Sequence, residues 1–304
     1  MYSIFYLARP TYGGWVTFTC HLSLKQSWPV YKIRSKTEKN SRDFGYGVKS
    51  HNVSLVAAAA LPNPLIAAID KTHYHTLSSF GEGTYIVIHD PTELTEELIP
   101  HLRRFRVITI RKSVQEFLLV RHNINSKFIL HPFYEYPLKE HEKCGAAVVS
   151  RIDFDKNIDI VLKSKQDIDI YGFSNRIYTH HKLKGLGFEE RYKGQFKKSF
   201  VELDEILGKK QFAIDLSTIR NDGGGSQYSF LEAMYERCCI VLHKKWLVGD
   251  TKFMDGINCL AVETSEELVE ALKHPNAPLI GRIGSYFITP HSSVDWGVEL
   301  SADL

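Results

Sequence analysis

The chain has 304 residues, 43% hydrophobic and 24% charged, with 20 Gly, 11 Pro and a formal net charge of +3. That balance is ordinary for a globular protein of one or two domains; it excludes a collagen-like repeat, a low-complexity chain and a disulfide-stapled miniature protein. The charge is uneven: residues 1–148 carry 18 Lys and Arg against 12 Asp and Glu, a balance of +6, and the remainder carries 20 against 23.

Short apolar runs recur along the chain at 3–7, 54–60, 84–89, 106–110, 127–131, 145–150, 167–172, 212–217, 239–243 and 259–263. Each is bounded by polar or glycine-rich residues, so they read as strands buried on both faces, as in a parallel sheet. The opening MYSIFYL is read as the first strand, because it lacks the basic flank of a signal peptide. Between the strands, 91–105, 113–124, 157–166, 226–238 and 264–275 carry helix-length amphipathic patterns, the last opened by a capping box of Thr264 and Glu267. Strands alternating with helices predict an α/β protein. The alternation stops at HPFYEYPLKEHEKCG (131–145) and restarts at Ala146. The chain is therefore read as two Rossmann-like domains, 1–135 and 146–304, joined by a linker at 136–145 and facing each other across a cleft, with the last helix free to pack back on the first domain.

Cys20, Cys144, Cys238, Cys239 and Cys259 form no CxxC pair and are odd in number, which predicts reduced thiols and a cytoplasmic protein. No apolar stretch approaches the ~20 residues of a membrane span.

Four places carry chemistry. Gly13-Gly14 follows the first strand and opens a helix, where free backbone N–H groups favour an anion. Ser150-Arg151 and Lys156 follow the first strand of the second half, and the two cations can neutralise a diphosphate, one as a fork and one as a point charge; a solvated turn is the plain alternative. Gly223-Gly224-Gly225-Ser226-Gln227-Tyr228 opens a further helix, in which Glu232 sits among apolar residues and suits a ribose diol, or else pairs with Arg237 or Lys244 at the rim of the core. His89-Asp90 ends a strand and is placed to touch a substrate. No GxGxxG and no GxxxxGK[ST] occurs, so dinucleotide-oxidoreductase and P-loop readings lack their main support. His73-x-His75 and His180-His181 lack further spaced ligands, and of the Asp-x-Asp pairs at 153–155 and 167–169 the first overlaps the Arg151–Lys156 turn, whose cations can do a metal's work, so no metal site is expected.

On these motifs the chain resembles the GT-B glycosyltransferases, especially the retaining family 4. Gly13-Gly14, Ser150-Arg151 with Lys156, Glu232 and the stretch FMDGINCLAVETSEELVEAL (253–272) match that family's pattern. The first Glu of its Glu-x7-Glu helix falls on Gly224. A fainter resemblance joins His89-Asp90 and Gln227-Tyr228-Ser229-Phe230-Leu231-Glu232 to the T-even phage enzymes that glucosylate hydroxymethylated DNA. The resemblance implies a metal-independent, retaining transferase with a nucleotide-sugar donor, UDP ahead of GDP, and no cofactor. It implies His89, Asp90, Arg151 and Lys156 at the reaction, and Gly13, Gly14, Tyr171, Gly172, Gly223, Gly224, Gly225, Ser226, Gln227, Tyr228 and Glu232 on the donor.

For the acceptor, the stretch Lys25 to Lys49 holds seven basic and two acidic residues interleaved with Trp28, Tyr31, Phe44 and Tyr46. Lys32, Arg34, Lys36 and Arg42 suit an anionic acceptor, DNA ahead of a membrane lipid, with aromatics placed for unstacked bases. A saccharide or protein acceptor, a non-catalytic DNA- or sugar-nucleotide-binding module, and a two-domain dehydrogenase are the alternatives.

Overall fold

The first alternation of strands and helices builds an eight-stranded sheet from β1 (Ser3–Leu7), β2 (Val30–Ile33), β3 (Ser41–Gly45), β4 (Val48–Val53), β5 (Pro64–Ile69), β6 (Tyr85–Ile88), β7 (Arg106–Thr109) and β8 (Ser126–Phe128). The computed structural model describes residues 1–9, 13–33, 41–218, 227–248 and 252–302, with 41 and 42 by backbone alone. The spatial order is β3-β4-β2-β1-β5-β6-β7-β8. Every neighbouring pair is parallel except β3 and β4. A second, wholly parallel sheet follows: β9 (Ala146–Val149), β10 (Ile168–Tyr171), β11 (Tyr192–Gly194), β12 (Phe212–Asp215), β13 (Cys239–His243) and β14 (Leu260–Val262), in the order β11-β10-β9-β12-β13-β14.

The chain divides into two compact units, Met1–Glu135 with Pro290–Leu304, and Tyr136–Thr289. In the first, Phe5, Leu7, Ile66, Ile86, Ile88 and Val107 line one face of the sheet and bury Leu102, Val114 and Leu118 against it. In the second, Val148, Ile170, Ile214, Val241 and Val262 do the same for Val161, Leu162 and Leu268. Residues 136–145 belong to the second unit and have no regular structure. Residues 290–304 belong to the first: Trp296 is fully buried, packs edge-on against Phe18 at 5.4 Å and donates its indole N–H to Leu130 O at 3.0 Å.

Three sequence expectations change. The run 54–60 is a short helix, Leu55–Ala59, and the neighbouring strand is β5. Alanines carry no β preference, and the Ser54 hydroxyl accepts from Ala57 N–H to cap the turn. The expected helix 91–105 is broken into a 3₁₀ turn, Pro91–Glu93, and one helical turn, Ile99–Leu102. Pro100 has no N–H to continue a helix begun earlier, and Glu93 turns away to bind other elements.

The basic segment also folds into the sheet as the end of helix Gly14–Gln26 and strands β2, β3 and β4. Trp28, Phe44 and Tyr46 are 7%, 8% and 5% exposed, so they are core side chains and offer no face to a base. Lys32 lies with its ammonium 5.5 Å from the centre of the Tyr6 ring. Arg42 is on β3, while Arg34 and Lys36 lie outside the described residues. None of the five cysteines is in a disulfide. No helix among the described residues is long and apolar enough to cross a membrane.

Candidate active site

In the second sheet β10 and β12 flank β9 on opposite sides. Connections leaving β9 and its neighbour diverge, and such a switch point opens a crevice at the carboxyl ends of the strands. The Arg151–Lys156 turn stands there, stitched to both neighbours. Ile152 N–H donates to Phe173 O at 2.9 Å on the β10 side. On the β12 side Asn157 Nδ2 donates to Leu216 O at 2.8 Å, and Thr218 N–H donates to Asp155 O at 2.8 Å. Asp153 caps the 3₁₀ turn Phe154–Lys156 by accepting from Phe154 N–H at 2.8 Å, and Asn175 Nδ2 also donates to it at 2.9 Å.

Both cations are paired inside the protein. Arg151 is 42% exposed and meets Asp153 at 3.1 Å and Asp155 at 3.2 Å. Lys156 is buried; its Nζ lies 3.4 Å from Asp215 Oδ2 and donates to Gln227 Oε1 at 3.3 Å. Asp215 ends β12 and further accepts from the Ser229 hydroxyl at 2.5 Å and from Ser217 N–H at 3.0 Å. Burial opposes its charge, but Lys156 and these hydrogen bonds outweigh burial and hold its carboxyl below the usual range. Gln227 spends the other end of its amide on the Ser217 hydroxyl at 2.8 Å.

The helix Tyr228–Tyr235 follows, with Tyr228 and Glu232 buried and Glu232 lining a small cavity beside Asp215 and Ser229. Lys244 pairs with Glu267. At the end of β10, Tyr171 is half-buried and Gly172 has φ +149°; a Cβ there would stand 1.7 Å from Ser150 O, so only glycine lets the two strand ends close. Gly223, Gly224, Gly225 and Ser226 lie outside the described residues.

The first sheet has the same geometry at β1, flanked by β2 and β5. Gly13 takes φ +89°, and helix Gly14–Gln26 starts directly after it. The Trp15 indole N–H donates to Glu93 Oε1 at 2.6 Å, and His89 N–H donates to Glu93 Oε2 at 2.9 Å. One carboxyl group thus ties the start of the helix to the end of β6. Burial, with Asp90 beside it, raises the Glu93 carboxyl well above the usual range.

His89 itself is buried and donates Nε2–H to Ala67 O at 2.7 Å. Burial takes its pKa down to about 4, so the ring is neutral at neutral pH. Asp90 accepts from Thr92 N–H at 2.8 Å and caps the Pro91–Glu93 turn. Arg111, His131 and His291 are buried nearby, and His291 donates Nδ1–H to His131 O at 3.0 Å. His131 is held well below the ordinary imidazole range by burial and then by the neighbouring His291 and Arg111.

Sequence reasoning missed Asp215, Glu93, Arg111, His131 and His291. The signal it had was position, and for two of them only: Arg111 directly follows the apolar run 106–110 and His131 ends the run 127–131. Among the described residues, one group has metal-ligand spacing: His141, Asp204 and Glu205. Asp204 there accepts from Lys139 N–H at 3.0 Å and lies 3.1 Å from His141 Nε2, while Glu205 pairs with Lys139 and Lys209, contacts that fasten residues 136–145 to helix Phe200–Leu207. His73 pairs with Asp70, and Asp169 pairs with Lys193 and Lys210.

Two successive doubly wound sheets, each with a glycine or cation turn at its switch point, define the GT-B glycosyltransferase fold. No protein-family model and no curated protein matches the chain in sequence. Solved structures match it along its whole length. Alr3699/HepE of Anabaena, in complex with UDP-glucose, is 14% identical with a TM-score of 0.69 over 99% of this chain and 100% of that one. An alpha-glucosyltransferase in complex with UDP-glucose and DNA containing an abasic site is 14% identical, with a TM-score of 0.67 over 99% and 98%. The sucrose-phosphate synthase of Thermosynechococcus elongatus is 13% identical, with a TM-score of 0.67 over 99% and 96%.

Proposed function

We propose that the protein is a retaining, metal-independent glycosyltransferase that moves a sugar from a UDP-sugar to the hydroxyl of an anionic acceptor. The observation that carries this reading is the Arg151–Lys156 turn at the switch point of the second sheet: it carries two cations, and its backbone is tied to the segments that follow β10 and β12. In this reading the bond from the sugar carbon to the diphosphate breaks, and Arg151 and Lys156 stabilise the charge left on the leaving group. In the same reading the helix N-termini near Gly13-Gly14 and Gly223 to Gly225 add to that stabilisation. Glu232 holds the ribose, Tyr171-Gly172 lies beside the base, and Gln227 and Tyr228 shape the sugar pocket. His89 and Asp90 stand on the acceptor side.

Support for UDP comes from the nucleotide bound in the HepE and alpha-glucosyltransferase structures. Support for DNA as acceptor comes from the second of these and from the basic segment, where Lys32, Arg34, Lys36 and Arg42 would contact phosphates. Trp28, Phe44 and Tyr46 are buried and supply no stacking, Tyr31 is half-buried, and the contact rests mainly on charge.

The test is to incubate the protein with labelled UDP-glucose and duplex DNA, with and without 5-hydroxymethylcytosine, in the presence of EDTA. Label transferred to the modified DNA alone is the expected result. UDP release with no DNA labelling moves the acceptor to a lipid, saccharide or protein. No turnover with any UDP- or GDP-sugar sinks the transferase reading.

A further inference from the structure

The pairing of the two cations in the second unit has an asymmetry. Lys156 is held loosely, at 3.4 Å from Asp215 and 3.3 Å from Gln227, where charge-assisted N–H···O bonds usually close to about 2.7–2.9 Å. Its partners are held firmly by others. Asp215 keeps the Ser229 hydroxyl at 2.5 Å and Ser217 N–H at 3.0 Å, and Gln227 keeps the Ser217 hydroxyl at 2.8 Å. When the ammonium leaves, both acceptors keep hydrogen bonds from other donors, and Asp215 loses only its counter-charge. The same design recurs at Arg151, whose partner Asp153 is anchored independently by Phe154 N–H and Asn175 Nδ2. Cations that can turn are thus paired with carboxylates that stay.

We propose that Asp215 is an internal stand-in for the donor's diphosphate: it pairs with the Lys156 ammonium, yields it to an arriving nucleoside diphosphate, and reclaims it as that product leaves. This rests on the donor reading above and goes beyond it, because it assigns Asp215 a part in release. The charge balance fits. Arg151 and Lys156 face Asp153, Asp155 and Asp215, with Glu232 on the same cavity as Asp215, so the turn as a whole carries no positive excess to trap a diphosphate. Asp215 acts through Lys156 and is a positioning residue.

The experiment is calorimetric titration of UDP and UMP into the wild type and Asp215→Asn, with UDP dissociation followed by stopped flow. GDP and GMP replace them if the wild type prefers guanine. Asp215→Asn removes the competing charge and keeps the shape. UDP is expected to bind about tenfold more tightly and leave correspondingly more slowly, while UMP, which lacks the β-phosphate, changes less than about twofold. On a Lys156→Met background the same substitution is expected to have no effect on UDP, since coupled residues are not additive. Ser229→Ala loosens the anchor of Asp215 and throws it onto Lys156, so UDP should weaken about threefold.

Weaker UDP binding by Asp215→Asn, or equal shifts for UDP and UMP, overturns the proposal and leaves Asp215 a scaffold. Unchanged UDP affinity in both Asp215→Asn and Ser229→Ala overturns it as well. A wild type that binds no nucleoside diphosphate overturns the donor reading itself, and that result is seen before any variant is made.

Discussion

The two switch points are built alike and furnished differently. In the second unit the polar groups at the strand ends are charged side chains paired with other charged side chains: Arg151 with Asp153 and Asp155, Lys156 with Asp215. In the first unit several of them are neutral or backbone-bound: His89 on Ala67 O, His291 on His131 O, and Glu93 on His89 N–H and the Trp15 indole. A cation in a side-chain ion pair can turn to another anion; the carboxylate it leaves loses its counter-charge, and at Asp215 the Ser229 hydroxyl and Ser217 N–H remain to hold it. A side chain bonded to buried backbone cannot leave without stranding a carbonyl or an N–H. The second unit is therefore equipped to trade partners, and the first to keep its shape.

That contrast can be broken most sharply at Arg151. Arg151→Ala is expected to lower turnover by about 10²–10³-fold, because one preorganised charge on the leaving group is lost. Its pairs are exposed, and such pairs contribute about 0–1 kcal/mol, so the melting temperature should hardly move. Lys156→Ala should also abolish transfer, but it strands the buried Asp215 and should lower stability as well; thermal melts of the two variants separate these cases.

On the other side of the comparison, the first unit should be sensitive to acid. His89 has a folded pKa of about 4 against about 6.5 for an unconstrained imidazole. The folded form is neutral where the unfolded chain would take up a proton. The stabilisation is therefore complete above about pH 6.5 and is lost as pH falls towards 4, a change on the order of 3 kcal/mol for this residue. Urea unfolding at pH 7.5, 5.5 and 4.5 should show the midpoint falling, and His89→Gln should flatten the dependence. A pH dependence left unchanged by His89→Gln would contradict the assignment.

Glu232→Ala is expected to weaken UDP about tenfold with a smaller effect on kcat, since a ribose contact is the same in the ground and transition states. Unchanged affinity would make Glu232 a core residue. The smallest expected effect is Trp15→Phe, which removes one hydrogen bond to Glu93 and should cost about 1 kcal/mol of stability; a denaturation midpoint equal to wild type would show that the bridge to β6 carries no weight.

The succession of buried parallel strands, the glycine turn after β1, the Arg151–Lys156 spacing and the capping of helix Ser265–Ala271 by Thr264 were all legible in the chain, because each depends on residues within a few positions of one another. Local sequence misled where a distant element decided. The alanine run at 54–60 is apolar enough for a strand, but the place beside β1 goes to Pro64–Ile69. Three aromatics of the basic segment read as stacking partners until β2 and β4 are seen side by side and Trp28, Phe44 and Tyr46 are found in the core. Asp215 gains its meaning only from a lysine 59 residues earlier, and Glu93 from a tryptophan 78 residues earlier. Hydrophobic period and turn chemistry are properties of a short stretch; the partner of a buried charge is a property of topology, because only the finished sheet decides which strand ends meet.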